Sequence, residues 1–312
     1  MNLREEVVLI TGAYGFLGSH VFTHLISRGA RQAIPVGRHG FDLTKADQVE
    51  KMYQKHKPTV VIHLAACVGG IGYNASHPVE MFRDNMLMGV YMIDVAARHG
   101  VRKFVQIGTS CSYPSSTQEP TKEECLWQGL PVPITAPYGV AKLAMQYMLR
   151  VYHESLGMEV AYVIPSNLYG PGDNYDDSKS HVVPALIKRI AKVKMMGDKE
   201  VVVWGTGRAS RDFLYVGDCA RAIIDITEKC NSPEPINLGS GRATPIHVLA
   251  SKIKDIIGFH GEVVWDASHP DGYPHRCLDI SRARSLIGFE PGVALDEGLA
   301  ITVKDYLNES SC

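Results

Sequence analysis

Long apolar runs are missing from this sequence. Nowhere do about 18 consecutive apolar residues occur, so no membrane-spanning helix is expected. An excess of charge of one sign is missing too: 32 Lys and Arg stand against 33 Asp and Glu, a net charge of -1, with a pI near 6.9. That balance predicts neither a nucleic-acid partner nor a membrane surface. Any anionic ligand must then be met by local Arg, Lys or backbone N–H groups. Cysteine is sparse: the seven are scattered, odd in number and never spaced Cys-x-x-Cys, which argues against a disulfide framework. The opening Met1-Asn2-Leu3-Arg4-Glu5-Glu6 is charged and lacks the apolar core of a secretory signal. No internal repeat or low-complexity tract is present. These absences predict a soluble, cytoplasmic protein with reduced thiols.

What is present is alternation. A chain of 312 residues is long for one core and short for three, which predicts one large domain and a smaller lobe. Val7 to Ile10, Ala33 to Val36, Thr59 to Leu64, Lys103 to Gly108 and Val160 to Ile164 read as buried strands. Pro35 is tolerable near a strand end. Helical spacing fills the intervals, from Phe16 to Ser27 and about residues 45–56, 79–99 and 137–156. The expected fold class is α/β, a Rossmann-type doubly wound parallel sheet with a smaller C-terminal substrate-binding lobe. Residues 1–165, with a contribution from 205–240, are expected to bind the dinucleotide. Residues 166–204 and 241–312 are expected to form mainly the substrate lobe, because the alternation weakens after Pro165.

Gly12-x-x-Gly15-x-x-Gly18 lies between a strand and a helix, the context in which glycines let a pyrophosphate approach the backbone and a helix N-terminus. At the end of the second strand a carboxylate would hold the ribose of NAD, whereas an Arg accommodates the phosphate of NADP. The chain reads Val36-Gly37-Arg38-His39-Gly40. Arg38 is therefore the expected phosphate partner, with His39 as a helper and a solvated surface Arg as the bland alternative. Asp42 is the first carboxylate and could instead face the adenine edge. Tyr138 and Lys142 are four apart in a helical pattern and project from one face. An ammonium beside the phenol favours phenolate, so the Tyr138 pKa is expected to fall from about 10 toward working pH. Tyr138 is then an acid or base for alcohol–ketone interconversion.

The fragments Ser110-Cys111-Ser112-Tyr113-Pro114, Asn167-Leu168-Tyr169-Gly170-Pro171, Ser180-His181-Val182-Val183-Pro184-Ala185 and Arg211-Asp212-Phe213-Leu214 add a resemblance. From about Val8 to Thr302 the chain resembles the extended short-chain dehydrogenase/reductase superfamily and, within it, the GDP-L-fucose synthase family. That resemblance implies a GDP-4-keto-6-deoxy-D-mannose 3,5-epimerase–4-reductase. The implied catalytic residues are Tyr138, Lys142, Thr109, Cys111 and His181, with Cys111 and His181 as the epimerisation pair. The implied cofactor is NADP, used as NADPH, with NAD possible. Its contacts would come from Gly12, Tyr14, Gly15, Phe16, Leu17 and Gly18, then Arg38, Leu64, Ala65, Ala66, Ile107 and Gly108. Lys142, Pro165, Asn167, Leu168 and His181 would complete that set. A GDP-sugar would be held by Ser110, Asn167, Arg189, Trp204, Arg211, Asp271 and Arg276. The superfamily's helices near 79–99 and 137–156 pair across a two-fold axis, which implies a homodimer.

The chain departs from the family pattern at two places. The family usually has Arg at the position of Tyr14 and Ser at that of Thr109. His20 and His24 lie four apart with no third ligand, so no metal site is expected. Cys67, Cys125, Cys219, Cys230, Cys277 and Cys312 show no charged context and read as structural or surface residues. Asp173, Asp176 and Asp177 read as a solvated acidic turn. Two rivals are an NAD(P)-dependent epimerase without net reduction, similar to GDP-mannose 3,5-epimerase, and a non-catalytic dinucleotide sensor. The first has Lys where His181 stands; the second would lose the Tyr138–Lys142 couple.

Overall fold

The continuous apolar runs become the strands of one parallel sheet. The computed structural model describes residues 1–268 and 272–309. The first half runs β1 (Val8–Thr11), α1 (Phe16–Ser27), β2 (Ala33–Val36), α2 (Ala46–His56), β3 (Val60–His63), α3 (Ile71–Ser76), α4 (Pro78–Arg98), β4 (Lys103–Ile107), α5 (Ala136–Leu156) and β5 (Glu159–Pro165). The second half runs β6 (Asn167–Tyr169), α6 (Val182–Met196), β7 (Glu200–Trp204), β8 (Ser210–Tyr215), α7 (Val216–Lys229) and β9 (Ser232–Leu238). It continues with β10 (Ala243–Pro245), α8 (Ile246–Ile257), β11 (Glu262–Asp266), β12 (His275–Arg276), α9 (Ser281–Ile287) and α10 (Leu295–Glu309).

The main sheet has the order β2-β1-β3-β4-β5-β9, with every neighbour parallel. Each residue of β1, β3 and β4 is buried, which is why these strands read as mainly apolar stretches rather than alternating ones, with Lys103 and Gln106 of β4 the buried polar exceptions in its run. Pro35 is accommodated because β2 is an edge strand. The chain steps outward from β1 to β2 and then crosses back to β3. The strand order therefore reverses between β1 and β3, where open α/β sheets form a crevice at their carboxyl ends.

Helices cover both faces of the sheet, so it is a Rossmann-type doubly wound fold. On one side Val8, Ile10, Val21 and Leu25 pack with Ile223 of α7 and with Ile280, Ala283 and Phe289 around α9. On the other, Leu9, Val61 and Phe104 pack with Met92 of α4 and Leu143 of α5. A third core, with Leu186, Ile190, Val201, Phe213, Leu249 and Leu299, lies beyond the sheet. It joins α6, α8 and α10 to two small sheets, one of order β10-β8-β12 with β6 also on β8, the other the pair β7 and β11. Among the described residues no helix is long and apolar enough to cross a membrane.

Candidate active site

The turn from β1 into α1 has no room for side chains. Gly12 has φ +70, and a Cβ there would lie 2.8 Å from the Ala65 nitrogen; at Gly18 a Cβ would lie 2.0 Å from the Gly12 carbonyl oxygen. Gly15 precedes the first residue of α1, Phe16, and no side chain caps that N-terminus. Thr11 ties the crevice across the strand reversal, its Oγ1 accepting from Ala65 N at 3.2 Å and its carbonyl from Leu64 N at 3.2 Å. A turn of this kind at a strand switch point can cradle an anion.

At the end of β2 the Tyr14 ring lies against Gly37, where an added Cβ would come within 2.5 Å of Cδ2. Arg38 follows, exposed, and its charge is felt at Asp42, Cys67 and Tyr73. Asp42 closes a local turn through one carboxylate oxygen. Its Oδ1 accepts from Thr44 Oγ1 at 2.7 Å and Thr44 N at 3.0 Å, and those bonds hold its carboxyl below the usual range.

Beyond β4 the chain makes a short helical turn, Ser110–Ser112, whose N-cap Thr109 accepts from Cys111 N at 3.1 Å. The first turn of α5 presses on it. A Cβ at Gly139 would stand 2.4 Å from the Cys111 carbonyl oxygen, and Ser112 Oγ donates to the Gly139 carbonyl at 2.8 Å. This contact brings the neighbouring Tyr138 to Thr109 and Cys111: the phenol hydrogen-bonds Thr109 and feels the charge of Cys111.

The expected lowering of the Tyr138 pKa is not found. Burial raises it well above the usual phenol value, the Cys111 charge adds to that, and Thr109 only partly opposes. Lys142 is itself buried, which pulls its ammonium down to about 8. Desolvation outweighs the pairing that the four-residue spacing implied. His63, which sequence reasoning missed, shares a 2.7 Å hydrogen bond with Thr11 Oγ1. Burial, then the Lys142 charge, lowers its pKa to about 3, so it is neutral at working pH. Its signal was a polar residue ending an otherwise apolar strand.

The second half of the chain meets this end of the sheet through the loop after β3. Gly70 N donates to the Lys179 carbonyl at 3.1 Å, and a Cβ at Gly70 would lie 2.7 Å from the Ser180 carbonyl oxygen. His181 follows directly as the N-cap of α6. His181 is exposed, and what burial its imidazole has lowers its pKa. Arg189 and Trp204 lie together: the guanidinium sits 5.5 Å from the indole and donates to the Val202 carbonyl at 2.8 Å. Arg211 donates to the Ser210 carbonyl at 2.8 Å, and Asn167 Nδ2 to the Asp212 carbonyl at 3.2 Å. Arg276 pairs with Arg211 across β12 and β8 but is buried, its guanidinium turned toward residues 114–121. Asp271 lies outside the described residues.

Two further expectations are corrected. Cys67 has charged surroundings: Asp84, Arg38 and Lys179 all act on it and Tyr73 hydrogen-bonds it, though burial is the largest influence and raises its pKa. Cys219, Cys230 and Cys277 also have charged neighbours, again with burial the largest influence, and Cys312 lies outside the described residues. Asp173 is not solvated but 7% exposed, and burial raises its carboxyl to about 7. Among the described residues no cluster of His, Cys, Asp or Glu could hold a metal; His20 is engaged with the Pro171 carbonyl at 2.9 Å.

Residues 8–239 match the NAD dependent epimerase/dehydratase family. The chain is 38% identical to the probable GDP-L-fucose synthase 1 of Oryza sativa subsp. japonica over 96% of this chain and 92% of that protein. It superposes on a GDP-L-fucose synthetase from Naegleria fowleri bound to NADP with a TM-score of 0.89, at 30% identity, over 98% of this chain and 95% of that one. It also superposes on a GDP-6-OMe-4-keto-L-xylo-heptose reductase from C. jejuni, with a TM-score of 0.91, 26% identity and 97% of each chain covered.

Proposed function

The chain belongs to the NAD dependent epimerase/dehydratase family, in its GDP-L-fucose synthase branch, and on that premise we propose that it converts GDP-4-keto-6-deoxy-D-mannose to GDP-L-fucose. The reaction is a 3,5-epimerisation followed by NADPH-dependent reduction at C4. One observation carries this reading: Tyr138, Thr109 and Cys111 converge beside the glycine cradle, and the loop after β3 joins the segment of His181 to the same sheet end.

The cradle fits a dinucleotide, because a Cβ at Gly12 or Gly18 would fill it and α1 presents an uncapped N-terminus. Gly12, Gly15 and Gly18 would hold the pyrophosphate, and exposed Arg38 the 2′-phosphate. Leu64 to Ala66, Ile107, Gly108 and Pro165 to Leu168 would line the remainder. When bound, NADPH supplies the hydride that C4 receives.

The C4 ketone acidifies the hydrogens at C3 and C5. We assign Cys111 and His181 the two halves of each epimerisation: one removes the proton and the other, carrying a solvent-exchangeable proton, delivers one to the opposite face. Thr109 holds the carbonyl oxygen, and Tyr138, kept protonated by burial, donates the proton that completes the alcohol. Lys142 and the neutral His63 lie behind them as a buried polar layer. In the other lobe Trp204 offers a stacking face to the base, with Arg189 and Arg211 as partners for the diphosphate. Residues 1–165 with 205–240 would thus serve the cofactor, and 166–204 with 241–312 mainly the sugar nucleotide.

The protein would work in the cytoplasm as a homodimer. Val79 and Phe82 of α4 and Tyr147 and Val151 of α5 leave exposed apolar surface that a second copy would cover. A monomer in sedimentation at micromolar concentration overturns that assignment. For the reaction, incubation with GDP-4-keto-6-deoxy-D-mannose and NADPH in heavy water is expected to give GDP-L-fucose carrying deuterium at C3 and C5, read by NMR. A reduced product free of deuterium at both carbons, or no product, overturns the reading.

A further inference from the structure

Arg276 is a cation with little opening to solvent. It is 7% exposed, its Nη1 donates to Thr117 Oγ1 at 3.0 Å and Thr121 Oγ1 at 3.3 Å, and its Nη2 donates to the Pro114 carbonyl at 3.2 Å. Glu119 Oε1 lies 3.8 Å from Nη1, and the guanidinium stands 4.1 Å from the Tyr273 ring and 5.8 Å from that of Tyr113. A guanidinium that binds a diphosphate presents its fork to the ligand. This one presents its fork to its own chain and has a carboxylate beside it.

The loop it grips begins at Cys111. Tyr113, fully buried, donates to Asn237 Oδ1 at 2.7 Å, and Asn237 Nδ2 donates to the carbonyls of Thr121 and Asp279, each at 3.1 Å. Thr121 N donates to the Cys277 carbonyl at 2.7 Å, and Cys277 N to Glu119 Oε2 at 2.8 Å. On the other side, Ser112 and the Cys111 carbonyl are pinned to Gly139 of α5. Pro114, the residue Arg276 holds, is three positions from the thiol. Tyr113 on Asn237 and Ser115 N on the Leu130 carbonyl, at 3.2 Å, also hold this end, so the Arg276 bonds set how tightly the segment is placed rather than whether it is held.

We propose that Arg276 is a positioning residue that clamps residues 114–121 and so sets Cys111 against the sugar ring, rather than a ligand of the sugar nucleotide. The proposal rests on the epimerase–reductase reading for what Cys111 does. The clamp itself does not depend on it.

The test compares the unaltered protein with Arg276→Ala, Arg276→Lys and Thr117→Val. The first readout is amide hydrogen exchange over residues 110–121, which needs no substrate. Arg276→Ala is expected to speed it about tenfold or more; unchanged exchange overturns the clamp whatever the enzyme's activity. The second is the affinity for GDP alone, expected to stay within about threefold, set beside the rate of deuterium uptake at C3 and C5 at saturating substrate. That rate is expected to fall about 10- to 100-fold, the scale of a misplaced reacting group. Arg276→Lys restores only part, because a point charge cannot span the Pro114 carbonyl and both threonines. Thr117→Val, which keeps shape and removes one acceptor, is expected to show the same split at about threefold and stands in if the Ala variant does not fold. A tenfold loss of GDP affinity with normal uptake at saturation makes Arg276 a ligand and overturns the proposal. If the unaltered protein neither exchanges nor reduces, the functional reading fails and hydrogen exchange alone decides the clamp.

Discussion

The chain up to Pro165 is held together at its functional end by backbone against backbone, whereas the later half is held by side chains reaching across long stretches of sequence. In the first, Gly12 meets Ala65, Gly18 meets Gly12 and Gly139 meets Cys111 with no space for a methyl. In the second, buried Asp212 gathers the N–H groups of Ser240, Gly241 and Leu278 and the Ser240 hydroxyl, while Asp305 takes the Gly172 N–H. Backbone contact fixes position with almost no tolerance and is encoded by one residue type. Side-chain networks tolerate more sequence but depend on partners far away. The first arrangement suits a cofactor gripped by its phosphates, and the second suits a site shaped to one particular sugar nucleotide.

The largest effect should come from separating two groups that backbone contact has brought together. Tyr138→Phe is expected to lower reduction by about 10²- to 10⁴-fold while deuterium uptake at C3 and C5 continues. Cys111→Ser should suppress the uptake, yet an already epimerised ketone would still be reduced. NMR of both variants in heavy water reads the split. Normal uptake at both carbons in Cys111→Ser would remove Cys111 as the base and end the two-stage course.

Gly18→Ala attacks the backbone contact itself. The added Cβ would sit 2.0 Å from the Gly12 oxygen, so α1 must move away from the turn. Overpacking of that kind costs typically about 1–3 kcal/mol, and dinucleotide affinity should fall with it. Gly72→Ala is the control: nothing lies within 4 Å, and a helical alanine should be neutral or slightly stabilising. Equal melting temperatures for the two variants would mean that the cradle is looser than its contacts indicate.

Much of the first region was legible and little of the second. The helix spaced over Phe16 to Ser27 spans those residues, and the apolar runs become strands of the main sheet, because parallel strands buried on both faces need only local apolarity. The spacing of Tyr138 and Lys142 revealed a shared helix but not their burial, and burial decides the direction of both pKa values. Beyond Pro165, β7 pairs with β11 some 60 residues later and β6 with β8 across more than 40, pairings that no local period announces. Asp173 shows the consequence. Read alone it is one of three acids in a turn, but its loop is docked through Gly172 to Asp305 of α10.

Asp173 also gives that long-range burial a pH signature. Its folded-state pKa, about 7, exceeds the ordinary 3.8, so the folded chain binds more protons than the unfolded chain between those values. Its contribution to stability is therefore present below about pH 4 and lost as pH rises through 7, a change of at most about 4 kcal/mol. Asp173→Asn keeps an acceptor for the Asn174 N–H and removes the titration. Denaturant melts should show the variant gaining on the unaltered protein from pH 4 to pH 8, by at most about 4 kcal/mol at the upper end. A constant difference across that range would place the carboxyl in water.

The smallest effect, and the sharpest separation of the two regions, concerns which arginine serves which ligand. Arg38 stands exposed at the end of β2, and the first carboxylate after it, Asp42, has one oxygen engaged by Thr44. Tyr14, where the family usually has Arg, lies against Gly37 and offers no second cation. The 2′-phosphate would then rest mainly on Arg38, with His39 beside it, and a hydrogen bond to a charged group is worth about 1.5–3 kcal/mol. Arg38→Ala should shift the preference for NADPH over NADH by about tenfold or more and leave GDP affinity unchanged. Arg189→Ala, in the other lobe beside Trp204, should do the opposite, weakening GDP severalfold with the cofactor preference intact. Titrating each variant with both dinucleotides and with GDP tests the division directly. Equal binding of NADPH and NADH by the unaltered protein would show that Arg38 is a solvated surface residue and that the two regions do not divide their ligands this way.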